Sequence, residues 1–331
     1  MLTASIIICT HNRGQVVGRA IEAAVTEAAS CGAEVLIVDN ASTDDTPEVL
    51  AAFEHRGMLG VRVVSEERLG LSAARNRGLT AARGEVAAFL DDDAVPRSGW
   101  LGSLLAQYEA PGVACVGGPI FLRFESTPPP WLVPVFYPTL SAYYAGEVPC
   151  RLHHRPGNWF PTGANISFRT DRAQSVGGFS TIFGPLGRRP VLHDETDLCY
   201  RLERAGWEIR YAPEAAVDHW VLPERLQPAW FLARHWESGQ SAAACALRNR
   251  GLLRALWGLR WYGPFLAVAP HVPREPIDSR RLLAECQRRE ALGYIRGLLR
   301  GIMQLRTLRR GMMRSMPTEP SLPAGAPAKR N

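Results

Sequence analysis

Lysine is almost missing from this chain: Lys329 is the only one, and arginine supplies nearly all of its 38 basic residues. The seven cysteines are scattered and form no CxxC pair, so neither a disulfide framework nor a thiolate zinc site is indicated. Uncharged apolar runs of the roughly 20 residues that span a bilayer are also missing. The first 13 residues lack the basic region and long apolar core of a secretory signal. These absences predict a cytoplasmic protein.

Two glycine-rich phosphate-binding motifs are missing as well. No GxGxxG follows the first predicted strand, and GxxxxGK[ST] occurs nowhere in the sequence. A Rossmann dinucleotide site and a P-loop are therefore unsupported. Any phosphate binding would depend on a metal ion and on arginine, whose guanidinium grips phosphate oxygens bidentately.

Charge is divided unevenly along the chain. Residues 221–331 carry 19 basic and 7 acidic residues, a net charge of +12, whereas residues 1–220 carry a net charge of −6. A basic C-terminal third can bind nucleic acid or an anionic membrane surface, or it can be a solvated helical face. The acidic first two thirds argue against nucleic acid, and no nucleic-acid partner is expected.

Short apolar runs alternate with helical segments in the first hundred residues. The runs cover residues 5–10, 34–39, 61–65 and 86–90, and their β-branched composition predicts buried strands. This alternation predicts βαβ units, a parallel sheet and an α/β fold, in which ligands bind outside the carboxyl ends of the strands. Polar residues at those ends are therefore candidates for a site: Asn12, Arg13, Asp39, Asp91, Asp92 and Asp93.

Two acidic groups and one histidine allow both a functional and a structural interpretation. Three adjacent carboxylates at residues 91–93 suit a hard divalent cation, although a solvated acidic turn is the alternative. Asp194, Glu195 and Asp197 begin a predicted helix, where acids also stabilise the helix dipole. His219 is either a satisfied structural histidine or a metal ligand.

The chain is predicted to be helical from about residue 227. Residues 279–313 have regularly spaced apolar positions with arginine on the opposite side, which predicts a basic amphipathic helix or helix pair. This element either packs on the catalytic part of the protein or lies on anionic lipid. Residues 315–331 are too poor in apolar residues to be ordered.

Six segments, taken in order, resemble the inverting glycosyltransferases of family 2, which have the GT-A fold. They are SIIICTHNR at 5–13, EVLIVDNASTDDT at 34–46, GLSAARNRGL at 70–79, EVAAFLDDDAVP at 85–96, TGANISFR at 162–169 and HDETDLCYRLERAGWEIRYAPEAAVDHW at 193–220. The resemblance implies a Rossmann-like, mostly parallel sheet flanked by helices. It places a catalytic domain at 1–222, with a nucleotide-sugar half at 1–118 and an acceptor half at 119–222. A basic amphipathic helical extension at 223–314 and a disordered tail at 315–331 would follow.

The same resemblance implies a role for each matched position. Asp39 would contact the nucleobase and Asp91 the ribose, while Asp93 and His219 would hold Mg²⁺ or Mn²⁺ on the diphosphate in a DXD-like motif. The general base belongs to an acidic pair that here has the order Asp194-Glu195, reversed from the family's usual Glu-Asp, and Glu195 is the expected base. The full set expected to bind the nucleotide sugar is Thr10, Asn12, Arg13, Asp39, Asn40, Ser42, Arg75, Asp91 and Asp92.

The implied activity is the metal-dependent, inverting transfer of a single sugar to an acceptor hydroxyl. UDP is the commonest donor nucleotide of the family, with dTDP and GDP as alternatives, and the acceptor would be a saccharide or a lipid-linked saccharide of the cell surface. The QxxRW motif of processive synthases is absent, which favours single addition. Peripheral contact with the inner face of the cell membrane would suit a lipid-linked acceptor. Two alternatives remain at this stage: a nucleotidyltransferase, and a degenerate GT-A fold that only binds its ligand.

Overall fold

A large mixed sheet forms the centre of the protein. The computed structural model describes residues 3–55, 60–153, 160–181, 192–267, 269–270, 273–274 and 276–314, with side chains as far as residue 303. The predicted tail at 315–331 lies outside the described residues. The strands are β1 Ala4–Thr10, β2 Glu34–Asp39, β3 Val61–Ser65, β4 Val86–Asp91, β5 Ala94–Pro96, β6 Val113–Gly117, β7 Ile120–Phe124, β8 Cys150–Leu152, β9 Asn165–Arg169, β10 Glu208–Tyr211 and β11 Val217–Val221.

Eight of these strands pair in the order β3-β2-β1-β4-β9-β6-β10-β8. Strands β1 to β4 are mutually parallel, and β10 is parallel to β6. Strand β9 runs antiparallel between β4 and β6, and β8 runs antiparallel to β10 at the edge. The predicted α/β fold with a mostly parallel sheet is confirmed.

The central strands are apolar on both faces because helices cover the sheet on both sides. Alternate side chains of a strand point to opposite faces, so Ile6 and Ile8 pack in one core cluster and Ile7 packs in the other. The helices are α1 Gly14–Cys31, α2 Thr46–His55, α3 Leu71–Ala81, α4 Trp100–Gln107, α5 Thr170–Ser175, α6 Asp194–Arg204, α7 Pro228–Trp257, α8 Leu259–Leu266 and α9 Ser279–Arg314.

A second, three-stranded sheet in the order β5-β11-β7 lies directly after the acidic turn. Its β11 is antiparallel to β5, and His219 stands opposite Ala94 in their register. The backbone N–H of Trp220 donates to the carbonyl of Asp93 over 2.8 Å. This pairing brings a histidine from residue 219 to the end of β4, more than a hundred residues earlier in the chain.

The C-terminal extension is helical, as predicted, and α9 packs along α7. Glycines let the two backbones approach: a Cβ at Gly239 would lie 2.0 Å from the carbonyl oxygen of Glu290, and one at Gly293 would lie 2.2 Å from that of Trp236. The apolar residues of α9 that are buried include Leu282, Cys286, Ala291, Tyr294 and Leu298. The start of this helix also packs on Trp131 and Phe136 of the predicted catalytic domain, whereas its contact with anionic lipid stays a prediction.

No helix in the described parts of the chain combines the length and the apolar character needed to cross a membrane.

Candidate active site

The ends of β1, β2 and β4 lie side by side at one edge of the large sheet. Cys9 stands opposite Asp91 in the register of β1 and β4, and Thr10 stands opposite Asp39 in the register of β1 and β2. The polar residues that follow these strands therefore meet at one edge, as the parallel arrangement predicted.

Asp93 is the most heavily bonded carboxylate of this edge. It is buried, and its Oδ2 accepts hydrogen bonds of 2.8 Å from the guanidinium groups of both Arg13 and Arg225. Its Oδ1 lies 2.9 Å from Nε2 of His219. Burial alone would raise the pKa of Asp93, but the hydrogen bond with His219 and the charges of His219, Arg225 and Arg13 outweigh it and lower that pKa. Asp93 is therefore ionised.

Asp92 contacts the end of β1 and shares Arg13 with Asp93. The hydroxyl of Thr10 donates to its Oδ2 over 2.8 Å, and Nε of Arg13 forms an ion pair with its Oδ1 at 3.2 Å. Burial raises the pKa of Asp92 to about 7, and the charge of Arg13 and the Thr10 hydrogen bond only partly oppose the rise. Its contacts make Asp92 a support for Arg13 and the end of β1.

Asp91, Asp93 and His219 form a group that suits a divalent cation. Each offers one ligand atom, and the three atoms lie within 4.8 Å of one another. Nε2 of His219 donates to the Asp93 carboxylate, whereas its Nδ1 is buried and has no hydrogen-bond partner among the described residues. Two carboxylate oxygens and an imidazole nitrogen are ligands that Mn²⁺ accepts well, and the carboxylates suit Mg²⁺ equally. The residues present therefore fit the predicted metal, and they add Asp91 to its predicted ligands.

Arg75 links this edge of the sheet to the start of α6. Its buried guanidinium donates to both carboxylate oxygens of Asp194 at 2.9 and 3.0 Å, and it lies 3.4 Å from Oδ1 of Asp91. The hydroxyl of Ser72 donates to the same Asp194 carboxylate over 3.2 Å. A Cβ at Gly163 would lie 2.2 Å from Nη2 of Arg75, so the TGAN segment needs glycine where the guanidinium passes. The two groups of acids therefore form one site.

The two acids of the pair have different surroundings. Asp194 is fixed by Arg75 and Ser72, and although burial opposes the change, the charge of Arg75 lowers its pKa. Burial, and then the neighbouring charge of Asp194, raise the pKa of Glu195 to about 8. Glu195 keeps 16% of its side chain exposed and lies 3.7 Å from Arg75. Of the two, Glu195 is the accessible carboxyl that can exchange a proton near neutral pH.

Asp197, by contrast, has a structural role. Its buried carboxylate pairs with Arg201 at 2.8 Å and with Arg248 at 3.1 Å, and it accepts a hydrogen bond from Asn249. These contacts hold α6 to α7. The structural interpretation of first-turn acids therefore applies to Asp197.

The predicted nucleotide-binding residues near β2 are also close together. Oδ1 of Asp39 accepts from the backbone N–H of Ser42 over 3.2 Å, and the Ser42 hydroxyl accepts from the N–H of Asn12 over 3.0 Å. Asn40 is buried, and its amide donates to the carbonyls of Glu66 and Arg68 while its oxygen accepts from Gly70. Asn40 therefore shapes the loop before α3, and its contact with a nucleotide sugar stays a prediction.

Two arginines of the extension reach this site, and sequence reasoning missed both. Arg225 lies in a short 3₁₀ helix, Pro223–Leu226, and binds Asp93. Arg234 lies one turn and a half into α7, where burial and then the charge of Arg225 lower its pKa, while the charges of Glu237, Glu195 and Asp91 oppose that change. The abundance of arginine in the extension was visible in the sequence, but nothing local marked these two.

The sequence is similar to those of known glycosyltransferases. The model of the family described as Glycosyl transferase family 2 matches residues 5–170. The pre-mycofactocin glycosyltransferase of Mycobacterium tuberculosis is 36% identical over 182 residues, which is 54% of this chain but only 36% of that relative's length. The glucosyl-dolichyl phosphate glucuronosyltransferase of Haloferax volcanii is 26% identical over 72% of this chain and 76% of its own length. The succinoglycan biosynthesis protein ExoM of Rhizobium meliloti is 28% identical, over 69% of this chain and 70% of its own.

Solved structures resemble the fold. A mannosyltransferase of Pyrobaculum calidifontis, in complex with GDP-Man and Mn²⁺, superposes with a TM-score of 0.58 at 20% identity over 88% of this chain and 86% of that one. GalNAc-T7 with UDP, GalNAc and Mn²⁺ gives a TM-score of 0.53 at 17% identity over 73% of this chain and 51% of that one. These likenesses concern the fold, which is GT-A. The match of the family model over residues 5–170, half of the chain, shows that this chain belongs to glycosyl transferase family 2.

Proposed function

We propose that this protein transfers one sugar from a nucleoside-diphosphate sugar to an acceptor hydroxyl, with inversion and with a bound Mn²⁺ or Mg²⁺. The observation that carries the proposal is the single network that joins the metal-binding group to the acidic pair. Arg75 contacts Asp91 on one side and Asp194 and Glu195 on the other. An inverting transfer needs both a cation at the leaving diphosphate and a base on the opposite face of the sugar.

Asp91, Asp93 and His219 would hold the cation, and the cation would neutralise charge on the departing nucleoside diphosphate. The ionised state of Asp93 suits this role, because a metal ligand has to be deprotonated. Imidazole among the ligands favours Mn²⁺ over Mg²⁺. Asp39 would accept a hydrogen bond from a base N–H, as its half-buried position at the end of β2 allows.

Glu195 is proposed as the general base. Its carboxyl is partly accessible and its pKa is raised to about 8, so it can take a proton from an acceptor hydroxyl near neutral pH. Asp194 holds Arg75 in place and, with a lowered pKa, is a poorer base. The longer side chain at the second position of the pair is thus compatible with the function that the resemblance implied.

The donor nucleotide is proposed only as a first candidate, and the acceptor only by its chemical class. The two structural neighbours are complexes with GDP-Man and with UDP and GalNAc, so both nucleotides occur on this fold. We keep UDP as the first candidate, and a saccharide or lipid-linked saccharide as the acceptor. The Haloferax relative is named for a dolichyl phosphate substrate, which supports a lipid-linked acceptor and contact of the extension with an anionic membrane surface.

Donor binding is the direct test of this function. In a thermal-shift screen with Mn²⁺, we expect one of UDP-, GDP- or dTDP-sugars to raise the melting temperature, because a ligand that binds only the native state stabilises it. The shift should vanish when the metal is chelated. Slow hydrolysis of the same donor would exclude a binding-only protein. Release of pyrophosphate from a nucleoside triphosphate with a sugar phosphate, without any sugar transfer, would instead identify a nucleotidyltransferase.

Arg225 is expected to bind the donor's diphosphate. An Arg225→Gln protein should bind UDP and Mn²⁺ about tenfold or more weakly, since hydrogen bonds from a cation to a phosphate contribute about 1.5 to 3 kcal/mol. Isothermal titration calorimetry measures this directly. Arg210→Gln is the matched control, because Arg210 also pairs with a single acid, Glu208, but lies on β10. Equal affinities of the Arg225 variant and the wild type would refute the assignment.

A further inference from the structure

An apolar and basic surface is exposed where α7 ends and α8 begins. We define the docking surface as Leu253, Leu256, Trp257, Arg260 and Trp261. Leu253 is 83% exposed, Trp257 60% and Trp261 59%. Large apolar side chains that are mostly exposed and adjacent mark an interaction site more often than isolated ones do.

These five side chains share one face of a helical segment. The segment begins after Gly251, whose φ of 78° breaks α7, and Gly258 keeps helical dihedrals between α7 and α8. With 100° per residue, positions 253, 257 and 261 follow one another along the same side, with 256 and 260 beside them. The docking surface is therefore continuous along the segment.

The opposite side of the segment is packed against α9. Ala255 is buried, and its carbonyl accepts a hydrogen bond of 2.8 Å from the hydroxyl of Tyr294. The ring of Tyr262 stacks on the ring of Tyr294 with centroids 4.4 Å apart. Because the inner side is fixed in this way, the exposed side chains lie on an ordered helix, and their exposure does not come from incomplete packing of the segment.

Arginine and tryptophan alternate on the docking surface. The guanidinium of Arg260 lies 3.2 Å from the ring centroid of Trp257 and 4.6 Å from that of Trp261. Amphipathic tryptophan rings favour the interface between lipid headgroups and acyl chains, and arginine can bury its stem there while its charge stays at the headgroups. A surface of this composition suits a bilayer interface.

The local charge has one sign. Residues 238–274 include five arginines and no aspartate or glutamate. Anionic lipid headgroups complement such a segment. In a symmetric dimer, the same patch of two copies would meet and bring the arginines of both copies together without any acid from this segment. The charge therefore favours lipid over a second copy of the chain.

We infer that the docking surface binds the interface of an anionic bilayer, with Trp257 and Trp261 as its apolar anchors. This rests on the membrane contact proposed above and narrows it from the whole extension to one segment of it. The basic helix α9 was the candidate in the sequence, but most of its apolar positions, Leu282, Cys286, Ala291, Tyr294 and Leu298, are buried in the protein. The short segment beyond Gly251 takes that role.

Sedimentation of the full chain with vesicles tests the inference. Binding to phosphatidylglycerol–phosphatidylcholine vesicles should exceed binding to phosphatidylcholine alone and weaken at high salt. A Trp257→Ser/Trp261→Ser protein should partition about tenfold or more weakly, because two large side chains no longer leave water. The matched control is Val135→Ser/Val148→Ser, which changes two exposed apolar residues, 54% and 71% exposed, on other elements and should bind as the wild type does.

Two results would overturn the inference. One is equal sedimentation of wild type and tryptophan variant with anionic vesicles. The other is a dimer of the wild type in solution that the tryptophan variant loses, with no vesicle binding by either, which would make the surface a contact between copies. Donor hydrolysis measured without vesicles should be unchanged in the tryptophan variant. If the wild type does not hydrolyse the donor at all, that result would count against the proposed activity and not against the docking surface.

Discussion

An Asp93→Asn enzyme should transfer sugar at least about a thousandfold more slowly than the wild type, the largest loss expected from any single substitution. Asparagine keeps the size of the side chain but removes the charge that would hold the cation, and metal assistance to a leaving group contributes several kcal/mol. The same change leaves Arg13, Arg225 and His219 without their shared counter-charge. Steady-state rates with Mn²⁺ and calorimetric affinity for Mn²⁺ with UDP measure the two effects.

Asp92→Asn is the matched control for this substitution. Asp92 adjoins Asp93 in the chain, but its oxygens contact Thr10 and Arg13 and lie outside the metal-binding group. We expect a rate within about tenfold of wild type, as for the loss of one supporting contact. Melting temperatures of both variants separate catalytic from folding effects. A fully active Asp93→Asn enzyme, or full activity of the wild type in chelator, would exclude the proposed role of the metal site.

Glu195→Gln should lower kcat by about three or more orders of magnitude while leaving the affinity for the donor nearly unchanged. The amide cannot accept the acceptor's proton, and general base catalysis together with correct positioning accounts for an effect of this size. Glu195 has no contact with Asp93 or His219 among the described ion pairs, so the metal-binding group should persist. Single-turnover kinetics for transfer and calorimetry for the donor measure the two quantities separately.

The pH profile gives a second, independent measurement. Because the pKa of Glu195 is raised to about 8 by burial and by Asp194, kcat/KM should rise with pH up to about that value and then level off. In the Glu195→Gln enzyme, the residual kcat/KM should not show this rise with pH. Asp194→Asn removes the negative neighbour that raises the pKa of Glu195, so the rise of kcat/KM should occur at lower pH in that variant. If Asp194→Asn abolishes turnover and Glu195→Gln does not, the base has been assigned to the wrong acid.

Strands β1 to β4 could be predicted from the sequence because their cause is local. Each is a β-branched or apolar run between polar turns, and a strand buried on both faces requires little else. The position of β9 could not be found in this way. Its antiparallel place between β4 and β6, and the second sheet that carries His219, depend on pairing between segments far apart in the chain. Such pairing leaves no periodicity within either segment.

In the site, too, some residues could be predicted from the sequence and others could not. Asp93, His219 and Glu195 could be proposed from the family's motifs, and the structure brings the first two together. Asp91, assigned to the ribose, also joins the metal-binding group. Arg225 and Arg234 could not be distinguished among the many arginines of the extension, because only the path of the chain after β11 decides which guanidinium reaches Asp93. The candidate site thus includes residues on both sides of residue 222, the predicted end of the catalytic domain.

Helix α7 has two neighbours of very different kinds. Arg234 near its start lies by the acids of the active site, and the docking surface begins just beyond Gly251. Residues 234–250 are 17 residues of continuous helix, which corresponds to about 25 Å at 1.5 Å per residue. The backbone of this helix lies close to that of α9 at Gly239 and Gly293. With the docking surface on a bilayer, as proposed, this helix would set the distance from the membrane to the active site, and an acceptor anchored in the bilayer would be selected by its length as well as by its chemistry.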